Sequence, residues 1–242
     1  MTEPGEIAIL YRRSPGSSFR EPGAKPPQGG FCAIYAMLAS VYIDGFNLYY
    51  GAVRGTPFKW LNVARMCQLL LPDDQIVNIK YFTAMVNPRP RDPDQRVRQE
   101  TYLRALRTIP NLEIILGTFL THEVTMPLAD NSGRYARVVK TEEKGSDVNI
   151  ATHLLMDGFK NRYELAVIVS NDSDLLVPIQ TVIHELKKPV GILVPAQQGH
   201  PSVMLARHAT FVKHIRQGVL ANSQFPPVMT DALGTFVKPA SW

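Results

Sequence analysis

The sequence predicts a doubly wound α/β domain, built on a mainly parallel sheet with helices on both faces. Three observations point there. Runs of β-forming residues alternate with stretches whose apolar residues recur at helical spacing, the pattern of successive strand–helix crossovers. Two of those runs, residues 165–169 and 190–194, are continuously apolar, as parallel strands buried on both faces are. Hydrophobic residues make up 45% of the 242 positions and charged residues 19%, a balance that excludes wholesale disorder.

Taken in order, residues 1–37 read as an irregular segment, dense in Pro, Gly and Ser and unable to bury enough surface to offset its ordering entropy. Met37, directly before the first strand, is a second candidate start. The apolar run at 31–43 is shorter than the roughly 20 residues that a membrane span needs. Signal cleavage at Ala39-Ser40 would turn Val41-Tyr42-Ile43 into a new terminus, and those residues serve better as a strand.

After that strand comes a polar turn, then a helical pattern through Leu61, Ala64, Cys67 and Leu70. Residues 76–86 read as a strand, 94–108 as a helix and 112–120 as a second long strand. A turn at Asn131-Ser132-Gly133 leads into an extended piece at 134–141. Helical spacing returns at 146–157, 175–186 and 202–208, around the two buried strands, and 211–215 reads as a last edge strand. The expected domain runs from 38 to 217, followed by an irregular tail over 218–242.

The net charge of +5 permits an anionic partner such as nucleic acid. Two cysteines, Cys32 and Cys67, are too few for a disulfide framework and lack metal-ligand spacing, so a reducing, cytoplasmic setting fits best.

In open α/β sheets, ligands bind outside the carboxyl ends of the strands. Asp44 follows the strand at 41–43, and Asp172 and Asp174 follow the strand at 165–169. Asp147 lies near the start of the helix that precedes that second strand. Clustered carboxylates raise one another's pKa unless a cation intervenes, and oxygen ligands suit Mg²⁺ or Mn²⁺. Each residue also has a plainer use. Asp44, Asp172 and Asp174 can cap helices, Asp147 can favour a helix dipole, and Asn47 can make local turn bonds. Together, at the strand ends that the topology singles out, they favour a metal site.

Residues 42–48, Tyr-Ile-Asp-Gly-Phe-Asn-Leu, resemble the opening motif of the NYN-domain family, the LabA-like members of the PIN-like nuclease fold. The resemblance continues at 144–151, Lys-Gly-Ser-Asp-Val-Asn-Ile-Ala, and at 167–175, Val-Ile-Val-Ser-Asn-Asp-Ser-Asp-Leu. It implies a PIN-like three-layer domain and a metal-dependent nuclease acting most often on RNA. On that resemblance Asp44, Asp147, Asp172 and Asp174 form the acidic cluster, with Asn47 a polar helper beside it. His153 and Asn149 depart from the pattern. His153 stands where many relatives carry a further acidic residue, and core packing or a place behind the carboxylates suits it.

Hydrolysing a phosphodiester needs an activated water and relief of charge on phosphorus, and divalent ions supply both. Asp44 and Asp172 are the leading direct ligands, with Asp147 and Asp174 completing the cluster directly or through water. Between residues 80 and 107 stand seven basic residues (Lys80, Arg89, Arg91, Arg96, Arg98, Arg104 and Arg107) against three acidic ones. Arg89, Arg91, Arg96 and Arg98, with Lys144 from a second basic cluster, are the candidate phosphate contacts, or else a solvated helix face. Pro88, Pro90 and Pro93 should hold an extended loop that overhangs the carboxylates. A haloacid-dehalogenase-type phosphatase needs a second Asp where Phe46 stands, and no Gly-x-Gly-x-x-Gly follows a strand. The remaining alternative is an inactive domain that binds RNA or protein without turnover.

Overall fold

The structure is a computed structural model that describes residues 36–130, 133–195 and 201–242, so residues 1–35 of the expected irregular segment at 1–37, and Asn131-Ser132 of the expected turn, lie outside the described residues. Seven strands form one sheet: β1 (Leu38–Asp44), β2 (Gln75–Ala84), β3 (Leu112–Pro127), β4 (Tyr135–Lys144), β5 (Leu165–Val169), β6 (Val190–Val194) and β7 (Phe211–His214). Their spatial order is β4-β3-β2-β1-β5-β6-β7, and only the β3–β4 pair is antiparallel. β1 pairs with β2 on one side and β5 on the other, in parallel both times. The connections therefore diverge at β1 and β5, which opens a crevice beyond their carboxyl ends.

Alternation along β1 explains the three layers. Val41 and Ile43 point into a core built with α2 (Val63–Leu70) and α3 (Gln95–Leu106), which contribute Met66, Leu103 and Leu106. Tyr42, on the other face, joins Ile150 and Leu154 of α4 (Ser146–Phe159), and Ile179 of α5 (Leu176–His184). Leu205 of α6 (Val203–His208) extends that second core. A sheet buried on both faces needs strands apolar at every position, as β5 and β6 are. Among the described residues, no helix is long and apolar enough to cross a membrane.

Three features depart from the sequence expectations. The polar turn after β1 is a short helix, α1 (Gly45–Leu48), running into a single π-helical turn over Tyr49–Val53. Gly51 lies in that turn because a Cβ there would sit 1.8 Å from the Pro195 carbonyl oxygen. β3 does not stop at 120 but continues to Pro127, paired with all of β4 as a two-stranded ribbon. Exposure of both faces of this arm hides the period-two signal there, since neither face has to be apolar.

The tail, expected to be irregular, folds into α7 (Gln217–Ala221) and a hairpin of β8 (Val228–Asp231) and β9 (Gly234–Val237). Its anchor is aromatic. Phe225, Phe236 and Trp242 surround the fully buried Trp60, whose indole N–H donates to the Pro226 carbonyl at 2.8 Å. Arg104 on α3 clamps Asp231 through two hydrogen bonds of 2.7 Å.

Candidate metal centre and cleft

The crevice is a cleft of about 960 Å³, and Asp44, Asn47, Asp147 and Asp172 all line it. Asp44 ends β1 and caps α1, its Oδ1 accepting the Asn47 N–H at 2.9 Å. The Asn47 side chain spans the crevice, its Oδ1 accepting the Asn171 N–H at 3.1 Å. One residue thus ties the end of β1 to the loop after β5. Asp172 caps the 3₁₀ turn Ser173–Leu175, its Oδ1 accepting the Asp174 N–H at 3.0 Å. Asp147 sits in the first turn of α4, behind Gly145, whose φ of +104° an L side chain resists. Asp44 and Asp172 are therefore both caps and cleft carboxylates. Asp174 does not cap α5.

Carboxylate oxygens of Asp147, Asp172 and Asp174 lie within 4.8 Å of one another. That is a hard oxygen donor set, closely enough gathered for one divalent cation. Asp44 stands outside the trio but close to it. Burial pushes its carboxyl up to about 6, against the Asn47 N–H, which opposes the rise, and the charges of Asp147 and Asp172 add to it. Burial also raises Asp147, followed by the charges of Asp172, Glu143 and Asp174. Carboxylates held at this mutual cost fit a cation between them.

The basic residues divide. Arg89 lines the cleft, but the loop after β2 is not the extended one expected: Arg89 and Asp92 bond each other backbone to backbone across a tight turn. Arg91 is exposed and lines neither cavity. Arg96 pairs with Glu100 at 3.0 Å, Arg98 with Asp92 at 2.5 Å, and Lys144 with Glu142 at 2.8 Å. Lys80 is not on the surface at all. It is 4% exposed and bonds Asp157 Oδ2 at 2.5 Å, because β2 turns that position toward α4. His153 belongs with it, its Nδ1 3.0 Å from Lys80 Nζ and its ring edge-on to Phe82.

Five cleft residues escape sequence reasoning. Glu143 lines the cleft and accepts the Ser146 N–H and hydroxyl at 3.2 and 2.9 Å. Its one signal is its place three residues before Ser146, where a side chain can reach the start of α4. Phe46, Tyr50, Phe119 and Arg54 also line the cleft, Phe119 directly across the β3–β4 ladder from Glu143. Phe46 meets Phe119 edge-on at 5.5 Å and lies near-parallel to Tyr50 at 6.5 Å. Arg54 stands 5.4 Å from the Tyr50 ring. Phe119 reaches the cleft only because β3 neighbours β2, which periodicity within one strand does not reveal.

An acidic trio at the carboxyl edge of a mainly parallel three-layer sheet gives this α/β domain a site suited to a divalent metal. The NYN domain matches residues 39–215, and the chain belongs to that family, whose members typically act on nucleic acids. It is 31% identical over 232 residues to "6-hydroxy-3-succinoylpyridine 3-monooxygenase HspA" of Pseudomonas putida (strain DSM 28022 / S16), covering 84% of this chain and 74% of that one. The crystal structure of a protein of unknown function, VPA0982 from Vibrio parahaemolyticus RIMD 2210633, superposes with a TM-score of 0.49 at 14% identity, covering 81% of this chain and 100% of that one.

Proposed function

We propose that the protein is a metal-dependent nuclease that hydrolyses phosphodiester bonds in RNA. The observation that carries this reading is the gathering of three carboxylates within 4.8 Å, two of which, Asp147 and Asp172, line the cleft. Asp147, Asp172 and Asp174 would hold Mg²⁺ or Mn²⁺, and a bound ion of this kind supplies charge relief on the phosphate and a more acidic water. Hydrolysis puts a water oxygen on phosphorus and releases an alcohol oxygen, so one proton leaves the water and one reaches the leaving group. Asp44, held by the Asn47 N–H, would take the proton from the water, and solvent in the open cleft would supply the one that reaches the leaving oxygen. Asn47 keeps the two strand ends in register, and Arg89 and Arg54 supply positive charge for the phosphates flanking the cut.

The test is cleavage of single-stranded RNA with and without a chelator, by the parent and by Asp172→Asn. Asparagine keeps the cap and removes the charge. Loss of more than about 100-fold in rate, with the melting temperature retained, is the expected result for a group acting on the reacting phosphate. Undiminished cleavage by Asp172→Asn, or in excess chelator, refutes carboxylate-held metal catalysis. RNA binding without turnover would instead point to the inactive-domain alternative.

A second reading follows from the relative's name, which describes oxygenation of a hydroxypyridine bearing an acid side chain. The aromatic wall beside Arg54 and Arg89 would take such a ring and its carboxylate. Oxygen uptake on mixing the protein with 6-hydroxy-3-succinoylpyridine and a reduced nicotinamide, absent without the pyridine, would favour it over hydrolysis.

A further inference from the structure

A second cavity, of about 350 Å³, adjoins the cleft. The two share Phe46, Tyr50, Arg54, Val86 and Arg89, so an aromatic and basic wall joins them. Their charge differs sharply. The larger cavity carries Asp44, Asp147, Asp172 and Glu143, whereas the smaller carries Lys59 and Arg98 besides the shared arginines. Its single acidic residue, Asp92, is already engaged by Arg98 through two hydrogen bonds. A chain of alternating anionic phosphates and flat rings matches that sequence of surfaces: acidic where a cation would sit, then aromatic, then basic. The smaller volume also falls within the range of about 300–1,000 Å³ that small-molecule pockets occupy.

We propose that the smaller cavity is a nucleotide subsite, which takes the base next to the scissile phosphate against Tyr50 and Phe46, with Arg54 and Arg89 on the linking phosphate. This rests on the nucleic-acid reading above and adds to it a place for one base, which only an unpaired strand can present. A base in a duplex has both faces covered by its neighbours and cannot offer one to Tyr50. Tyr50 is suited to the role because the residue is 56% exposed and lines both cavities, with Phe46 near-parallel to its ring, Tyr49 at its edge and Arg54 over it at 5.4 Å.

The experiment measures binding of a labelled single-stranded RNA, and of the same strand annealed to its complement, to the full chain, alongside cleavage of the single strand. Tyr50→Ala should weaken single-strand binding about tenfold, in line with the loss of one stacked base. Tyr50→Phe keeps the ring and should bind within about twofold of the parent. Duplex binding should be weaker at the outset and indifferent to Tyr50. Equal affinity for duplex and single strand, or Tyr50→Ala binding like the parent, overturns the subsite. If cleavage proceeds while Tyr50→Ala has no effect, the subsite falls and hydrolysis stands. If nothing is cleaved yet single strands bind through Tyr50, hydrolysis falls and the subsite stands. Failure of single strands to bind at all overturns both.

Discussion

Helix α4 carries two carboxylates toward the sheet, ten positions apart in the chain, and they meet opposite fates. Asp157, near its end, is buried and satisfied: Tyr42 donates at 2.9 Å, Lys80 at 2.5 Å and Arg162 at 3.0 Å. Burial alone would push its carboxyl up, but the hydrogen bonds from Lys80 and Tyr42 outweigh it and hold the carboxyl below the usual range. Asp147, in the first turn, faces Asp172, Asp174 and Glu143 and is pushed the other way. Like charges gathered without a protein cation are a poor way to stabilise a fold and a good way to hold a foreign one. The contrast separates the scaffold of the domain from its working edge.

The largest test of that contrast is Asp157→Ala, which leaves the Lys80 charge in a dry interior with no carboxylate and only the His153 ring nitrogen beside it. Breaking a buried pair costs about 3–5 kcal/mol, so the melting temperature should fall by roughly 10 °C. A fall no larger than that of an ordinary surface substitution would erase the distinction between the two ends of α4.

Asp44→Asn should act in the opposite sense. A carboxyl raised to about 6 in the folded state gives the fold its full benefit below the unfolded value near 4, and that benefit is lost as pH rises through 6. Removing the charge while keeping the cap should therefore stabilise the metal-free protein near pH 7.5, by up to about 3 kcal/mol, and do nothing near pH 4. Asp157, lowered rather than raised, contributes its own pH dependence only below about 4, so the two windows do not overlap. Thermal melts of the variant and the parent across that range decide it.

Divalent cations should sharpen the contrast further. Mg²⁺ or Mn²⁺ at ten times its dissociation constant should add about 1.4 kcal/mol to the stability of the parent. The gain should shrink at pH 5, where Asp44 holds its proton, and should vanish in Asp172→Asn while persisting in a conservative change remote from the trio, such as Arg96→Lys. The smallest effect expected is on phosphate contacts. Arg89→Ala should reduce the salt slope of RNA binding by about 1, as the loss of one phosphate contact does, whereas Arg96→Ala should leave it unchanged because Glu100 already holds that guanidinium. Arg91, outside both cavities, should fall between them.

The strand ends were legible because topology ties position to chemistry: an Asp directly after an apolar parallel strand must lie at the carboxyl edge. Asp44 and Asp172 reach the cleft for that reason, and the same logic located Asp147 through its helix. What local pattern could not reveal depends on partners distant in the chain. Lys80 reads as a surface charge until Asp157, 77 residues away, is seen to bury with it. Arg98 and Lys144 read as free cations until Asp92 and Glu142 are seen to hold them. Phe119 and Tyr50 meet only across separate elements, and the hairpin of the tail owes its order to Trp60 rather than to any periodicity of its own.

The aromatic nest around Trp60 also gives the molecule a built-in light source. Both tryptophans of the chain, Trp60 and Trp242, lie in it, 6.3 Å apart. Trp60 is sealed in, so its emission should be blue-shifted and deaf to events at the acidic edge. Trp242 lines the smaller cavity and should report on whatever enters there. Unlabelled protein excited at the indole band would then show two kinds of change: a red shift when the tail undocks from Trp60, and quenching without a shift when a base enters the smaller cavity.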